Sequence, residues 1–337
     1  MFIVVVHGGA GDHPPSLDKN VKAALKASCT PALEVLASGS DATGAVVEAI
    51  SVLEDNPFLN AGYGSNLTLD GNVECDASIM NGRDESFGSV AAVSGVKNPI
   101  SAAARLREAS LAPRPLGLVP PMILASQGAH AFATRNNVAT VSPSALVSGR
   151  ATKDWNMWKW RLDQEPEGVF QDTVGALVLD SSGGLGAGVS SGGLLLKQSG
   201  RIGEAAIFGA GCWASSPVDT NIGVACSVSG EGEQIIRSSL ARVLSERILA
   251  QVDGADEIIQ HVLIHSIHGE LGTSPKVGLI ILVKENDETG GFKPRLWCAF
   301  TTSSMAVAYA SSLDPEPQVG RFLSSNVDLD PDSQIRL

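Results

Sequence analysis

Apolar and polar positions follow two rhythms along this chain. Short unbroken apolar runs, rich in β-branched residues, predict strands buried on both faces: Phe2 to Val6, Val174 to Leu179, Ile222 to Val228 and Val277 to Val283. Leu185 to Val189 folds back on Val174 to Leu179 as a hairpin around Ser181-Ser182-Gly183-Gly184, and Pro294 to Thr301 pairs with Val277 to Val283 to close the chain. Glu74 to Met80 reads as a strand that turns at Asn81-Gly82 and returns as Phe87 to Val93, and Leu67 to Val73 reads as a hairpin turning at Asp70-Gly71. Apolar residues three and four apart predict helices elsewhere. One runs through Asp18, Val21, Ala24 and Leu25, capped by Ser16, interrupted or kinked at Pro31 and ended by Gly39. A second, capped by Ser40-Asp41, runs through Ala45, Val46, Ala49, Ile50 and Leu53. Others cover Ile100 to Ala109 behind an Asn98 cap, Pro121 to Thr134, Gln234 to Ala250 and Ala255 to His268. Residues 143–171 are polar and charged and read as an exposed, partly helical segment in which Trp155, Trp158 and Trp160 serve packing. Strands in both halves with helices between them place the chain in the α/β (α+β) class, with no linker dividing it.

Composition changes this picture little. The 337 residues suffice for one large core. The 36 Gly lie in clusters, which favours tight turns and close backbone approaches. Twenty-four basic against 36 acidic residues give a formal charge of −12, which argues against nucleic acid as the partner. The five cysteines, at 29, 75, 212, 226 and 298, are odd in number and form no Cys-x-x-Cys pair, so they read as reduced thiols of a cytoplasmic or nuclear protein that is not secreted. No apolar run reaches the roughly 18 residues of a membrane span.

Candidate chemistry is sparse. His7-Gly8-Gly9-Ala10-Gly11 follows a strand but lacks the dinucleotide fingerprint and the P-loop lysine, and His7 reads as a structural histidine. His261, His265 and His268 share one helical face, yet no carboxylate or cysteine cluster completes a metal site, so no metal and no cofactor is expected. Glu74 and Asp76 share a sheet face, where they could act as an acid/base pair or as hydrogen-bonded supports; support is the better reading. The turn Ser229-Gly230-Glu231-Gly232-Glu233, from strand into helix, offers free N–H groups suited to an anion or oxyanion. The remaining candidate is Thr173, preceded by Asp172 at the mouth of a strand. A Thr there is ordinarily a strand opener. If the bond before it breaks, however, its new α-amino group, of reference pKa roughly 7.7 to 8.0, lies beside its own hydroxyl and serves as a base.

These stretches together carry a resemblance. His7-Gly8-Gly9-Ala10-Gly11, Asn60-Ala61-Gly62, Gly64-Ser65, Asp76-Ala77-Ser78-Ile79-Met80, Thr173-Val174-Gly175-Ala176, Ser191-Gly192-Gly193, Gly200-Arg201-Ile202-Gly203 and Gly209-Ala210-Gly211-Cys212 resemble the plant-type asparaginase family of N-terminal nucleophile hydrolases, over about residues 3–312. Within it the chain looks most like the threonine aspartases, or taspases, on Gly64-Ser65-Asn66-Leu67, Glu74 to Met80, Ser94 to Pro99, Val189 to Leu194, Gly211-Cys212-Trp213, and Asp172 before the nucleophile.

The resemblance implies a four-layer αββα sandwich, made as one domain and cut by itself before Thr173 into an α-subunit of residues 1–172 and a β-subunit of residues 173–337, assembling as αβ or (αβ)2. It implies Thr173 as nucleophile, Ser191 as a second hydroxyl tuning it, and Ser229 with Gly230 as oxyanion hole. Arg201 would clamp a substrate carboxylate, with Glu204, Gly232 and Asn66 completing the pocket. A threonine aspartase cuts protein partners after an internal Asp, so the first expectation is a threonine endopeptidase whose own Asp172 is its first substrate. The alternative is an L-asparaginase or isoaspartyl (β-aspartyl) peptidase acting on small aspartyl amides, and a third is an uncut precursor acting as a binding module. Glu204 keeps the alternative open. Asparaginases carry Asp there, holding the free α-amino group of the substrate, whereas the taspase branch carries a neutral residue. Two further departures are Glu231, which adds negative charge beside the pocket, and a connecting segment before Thr173 that is short for a taspase.

Overall fold

The first strand sets the architecture. β1 (Ile3–Gly11) is buried along its whole length, with Val4 and Val6 facing one apolar cluster and Ile3 and Val5 another. A strand can bury both faces only inside a sandwich, which is why its sequence is continuously apolar rather than alternating. The computed structural model, which describes residues 1–11, 15–113, 115–162, 172–217, 221–266, 276–287 and 290–323, is a helix–sheet–sheet–helix sandwich, the αββα arrangement.

In chain order β1 is followed by α1 (Asp18–Ala37), α2 (Ala42–Glu54), β2 (Cys75–Asn81), β3 (Phe87–Val93), α3 (Pro99–Leu111), β4 (Ile123–Ala125), α4 (Ser126–Arg135) and α5 (Gly149–Leu162). The second half holds β5 (Val174–Leu179), β6 (Leu185–Ser191), β7 (Cys212–Ser215), β8 (Ile222–Gly230), α6 (Gly232–Ser238), α7 (Leu240–Ala250), α8 (Ala255–His261), β9 (Val277–Asn286), β10 (Phe292–Phe300), β11 (Ser304–Ser311) and β12 (Gln318–Leu323). The large sheet runs β12-β11-β1-β5-β6-β2-β3-β4 and the small one β10-β9-β8-β7. Residues of α1 to α4 cover the outer face of the large sheet, and α7 and α8 pack with the cluster that includes the small sheet. Each Val, Leu or Ile fully withdrawn from water in these clusters contributes about 1.5–3 kcal/mol.

Several boundaries differ from those read in the sequence. β1 does not stop at Val6. It continues through the glycines to Gly11, with a register irregularity between His7 and Ala10. α1 runs through Pro31 without interruption, and its N-terminal flank is Leu17, with no side-chain cap. Asp41 does cap α2, its Oδ1 accepting from Gly44 N at 2.8 Å, a contact worth about 1 kcal/mol. Asn98 makes no cap on α3; Glu54 Oε1, from the end of α2, accepts Ile100 N–H instead at 2.9 Å. Residues 67–73 form a single bridge between Leu67 and Val73 rather than a hairpin of strands. The helix expected from Pro121 begins at Ser126, after the short strand β4. The helix expected over Gln234 to Ala250 is two, broken at Ser239, whose φ of 47° is left-handed. Two closing strands, β11 and β12, were not foreseen, and β11 lies against β1 inside the large sheet. Of the histidine face, His268 lies outside the described residues, and no group of metal-binding side chains occurs among the described residues. No helix among the described residues is long and apolar enough to cross a membrane.

Candidate active site

The Asp172–Thr173 bond lies where β5 enters the centre of the large sheet, between β1 and β6. Thr173 is buried. Strand alternation turns it to the side of Leu177 and Leu179, towards the small sheet. Two glycines make the crowding here possible. Gly9, at φ +102°, brings β1 so close that a Cβ would fall 1.3 Å from Asp172 Oδ1 and 3.0 Å from Thr173 N. At Gly175 a Cβ would fall 2.1 Å from Ser227 Oγ and 2.3 Å from His7 Nε2, atoms that are 2.7 Å from each other. Burial pushes His7 down to about 3, against an opposing contact with the Thr173 backbone, so its ring is neutral. His7 is thus the structural histidine expected from the sequence, and it props the strand that carries Thr173.

The Thr173 hydroxyl has two oxygen neighbours, Glu204 Oε1 at 2.7 Å and Ser191 Oγ at 3.1 Å. Its one hydrogen takes the shorter contact. The carbonyl of the Asp172–Thr173 bond, Asp172 O, accepts from Asn60 Nδ2 at 2.8 Å and from Ser191 Oγ at 3.2 Å. Asn60 also donates to Gly193 O at 2.9 Å, as does Asn66 Nδ2 at 3.0 Å, and Asn60 Oδ1 accepts Asn66 N–H at 2.8 Å. Asn66 therefore supports the pocket through Asn60. Asn60, which touches the Asp172 carbonyl itself, was read in the sequence as part of the resemblance, with no role of its own. Arg150 of α5 ties down that loop, donating to Pro57 O at 2.8 Å and to Gly64 O at 2.5 Å.

Arg201 and Glu204 sit on a segment held by two carboxylates, Glu74 just before β2 and Asp76 within it. Gly200 N donates to Glu74 Oε2 at 2.7 Å and Gly203 N to Asp76 Oδ2 at 2.8 Å. Asp76 Oδ1 also accepts from Ala92 N at 2.7 Å, fixing a residue of positive φ in β3. Glu74 and Asp76 are supports, as the sequence reading preferred. Burial raises Asp76, with Lys197 and the two N–H groups opposing.

Arg201 Nε and Nη2 donate to Glu233 Oε1 and Oε2 at 2.9 and 2.7 Å, a parallel two-bond pair. Burial works against the charged guanidinium, but Glu233, Glu204 and Asp76 outweigh it and hold the pKa above the ordinary value. The carboxylate that meets Arg201 is therefore Glu233, not Glu231, whose backbone N–H goes to Lys276 O. The Nη1 edge of Arg201 looks into space bordered by Gly193 and Gly203, where added Cβ atoms would lie 3.3 and 3.1 Å away. Gly232 closes the other side; a Cβ there would lie 2.7 Å from both Arg201 Nη2 and Glu204 Oε2. Glu204 is itself buried, which raises its pKa, while the Thr173 hydroxyl and Arg201 oppose the rise and Asp76 adds to it. Ser229 and Gly230 end β8. Ser229 Oγ accepts from Ala10 N at 3.0 Å, beside the Gly9 that packs on Asp172. Gly230, at φ +140°, lets β8 pass Lys276 O, which a Cβ would approach to 2.2 Å.

A hydroxyl facing a carboxylate, at a bond whose carbonyl is already hydrogen-bonded, is a site for acyl transfer. The chain belongs to the asparaginase family (Asparaginase_2), whose profile matches residues 1–314, and it is a hydrolase with the N-terminal nucleophile fold. It is 32% identical over 329 residues to an isoaspartyl peptidase/L-asparaginase of Xenopus laevis, covering 96% of each chain. It is 33% identical over 335 residues to a plant-type L-asparaginase of Pyrococcus furiosus, covering 95% of this chain and all of that one. To an isoaspartyl peptidase/L-asparaginase of Homo sapiens it is 38% identical over 245 residues, 72% of this chain and 75% of the other. These relatives carry the name of the alternative reading rather than that of a threonine aspartase.

Proposed function

We infer that this chain is a self-activating amidohydrolase of small aspartyl compounds, an isoaspartyl peptidase/L-asparaginase. One observation carries the reading: a buried carboxylate, Glu204, stands beside a guanidinium, Arg201, within hydrogen-bond distance of the Thr173 hydroxyl. Such a pair matches a free amino acid head, with carboxylate on Arg201 and ammonium on Glu204. An Asp inside a protein chain presents a neutral peptide N–H and leaves the second charge unmatched. The names of the relatives point the same way.

On this reading the Asp172–Thr173 bond is cut first, giving chains 1–172 and 173–337. The new α-amino group of Thr173 then serves as base while its Oγ1 attacks the side-chain amide carbon of the substrate. Ser191 tunes the hydroxyl, and Ser229 with Gly230 receives the oxyanion. Gly232 leaves room over the Arg201–Glu204 pair, and Asn66 supports the wall through Asn60. Assembly as αβ or (αβ)2 belongs to the same proposal. The endopeptidase reading keeps one supporting observation, since an internal Asp, Asp172, does sit at the nucleophile with its carbonyl held.

Purified protein is expected to run as two bands, the smaller beginning Thr-Val-Gly, with Thr173→Ala remaining one chain. The mature enzyme is expected to turn over β-aspartyl-leucine and L-asparagine and to leave an Asp-containing peptide uncut. Cleavage of that peptide after Asp, with no turnover of the dipeptide, would sink the reading in favour of the endopeptidase. A wild-type chain that never matures would sink both.

A further inference from the structure

We propose that Glu204 is the general base of the self-cleavage step, taking the proton from Thr173 Oγ1 as that oxygen attacks the Asp172 carbonyl carbon. The proposal rests on the reading of the chain as a self-cutting hydrolase and adds a role for which substrate binding does not call. Before the cut the Thr173 nitrogen is an amide, without a basic lone pair, so the base of the mature enzyme does not yet exist. Some other group must accept the hydroxyl proton.

Glu204 Oε1 is the acceptor already in contact, at 2.7 Å, and both side chains are buried, so bulk water does not intervene. Two other titratable groups nearby, His7 and Asp76, are engaged elsewhere. His7 Nε2 is 2.7 Å from Ser227 Oγ, and burial strips that ring of basicity. Asp172 Oδ1 lies against the backbone of Gly9. Asp76 spends its two oxygens on Ala92 N and Gly203 N. Geometry at the other end of the reacting bond is complete as well, because Asn60 Nδ2 and Ser191 Oγ hold Asp172 O where negative charge develops.

The step balances. Thr173 Oγ1 bonds to the Asp172 carbonyl carbon while its proton passes to the Glu204 carboxylate. The carbonyl π pair moves to the oxygen, within the Asn60 and Ser191 hydrogen bonds. When the C–N bond breaks, Glu204 returns the proton to the Thr173 nitrogen, leaving an ester between the Asp172 acyl group and Thr173 Oγ1. The Thr173 amine is free from that point, and a water molecule then splits the ester. Its OH goes to the acyl carbon and its hydrogen to Oγ1, which frees the Asp172 carboxyl and the Thr173 hydroxyl. Glu204 ends in the ionisation state in which it began, free to meet a substrate ammonium.

The charged and titratable groups around Glu204 are Arg201 on its own loop, Asp76 on β2 with Lys197 beside it, Glu233 on α6 through Arg201, and Asp172 and His7 at the junction. Full-length chain made in a brief cell-free translation and shifted to buffers from pH 5 to 8 tests the proposal by the rate at which two bands form. The wild-type rate is expected to fall towards acid as Glu204 gains its proton. Glu204→Gln is expected to be slower by 100-fold or more at pH 8 and to lose that acid limb, in line with the usual worth of a general base, about 10²–10⁴. Glu204→Asp, with its carboxylate drawn back by one methylene, is expected to fall between the two. Glu204→Gln maturing within about threefold of wild type overturns the proposal, as does a wild-type rate flat across the range. The wild-type profile and Glu204→Asp decide the matter if Glu204→Gln fails to fold. A wild-type chain that stays uncut at every pH overturns the self-cutting reading itself, an outcome distinct from a wild type that matures alongside an equally fast Glu204→Gln.

Discussion

Arg201 is the residue on which the pocket's charges balance. It stands among three carboxylates, those of Asp76, Glu204 and Glu233. Glu233 occupies the Nε–Nη2 side, so the glycine-bordered Nη1 edge is the one that the proposed function assigns to the substrate carboxylate. Two substitutions separate these roles. Arg201→Ala leaves buried carboxylates without their cation, so poor maturation and a loss in kcat/KM of roughly 100-fold or more for β-aspartyl-leucine are expected. Full activity in Arg201→Ala would remove it from the pocket. Glu233→Gln keeps the shape but not the charge. Because Glu233 is half exposed, its pairing is partly screened, and a rise in KM of roughly fivefold or less with little change in kcat is expected from steady-state kinetics.

At the scale of elements, the join between α2, α3 and β6 turns on Glu54. Its Oε1 accepts from Ser190 Oγ at 2.6 Å and from Ile100 N at 2.9 Å, and burial pushes its pKa up to about 8. A carboxyl raised in this way contributes stability fully below its unfolded pKa, near 4.5, and loses it as pH rises towards 8. Each pH unit in that window costs up to about 1.4 kcal/mol. Glu54→Gln keeps the acceptor and removes the titration, so its Tm is expected to fall less than that of wild type between pH 5 and 8. Parallel Tm curves for the two proteins would refute this. Glu54 also marks where the sequence stops being legible. The hairpin of β5 and β6, with a turn that needs Gly183 at positive φ, could be read from local pattern, and so could β2 with β3. The partner of the Ile100 N–H comes from 46 residues away, and no local pattern carries it. β11 escaped notice because Ser304-Met305-Ala306-Val307-Ala308 is a run of small residues whose strand character comes from lying beside β1. In the site, Thr173 was legible by its chemistry, and Ser191, Arg201 and Glu204 through the family resemblance. Asn60, Ser227 and Glu233 were not, because an amide, a hydroxyl and a surface carboxylate acquire their roles only through what the fold sets against them.

Across the whole molecule, the two halves of the chain are woven through one sheet. β1, from before the junction, lies between β11 and β5, from after it, and β6 pairs with β2, so three strand pairings cross between residues 1–172 and 173–337. Cutting the Asp172–Thr173 bond breaks none of them. The mature enzyme is therefore expected to elute from size exclusion as one species containing both bands, and to release them only on denaturation. Separate elution of the two chains without denaturant would contradict the weave. The same strand order has a kinetic side. Before the cut, every strand of the large sheet finds its neighbour within one molecule, at the high effective concentration a continuous chain provides. Afterwards, denatured halves must meet as two solutes at whatever dilution prevails, with β1 threading into a site that only the other half can form. On the proposed function, the bond consumed in activation would thus also be the tether of folding. The uncut chain would fold and refold, while the cut enzyme would hold its shape as a product assembled once.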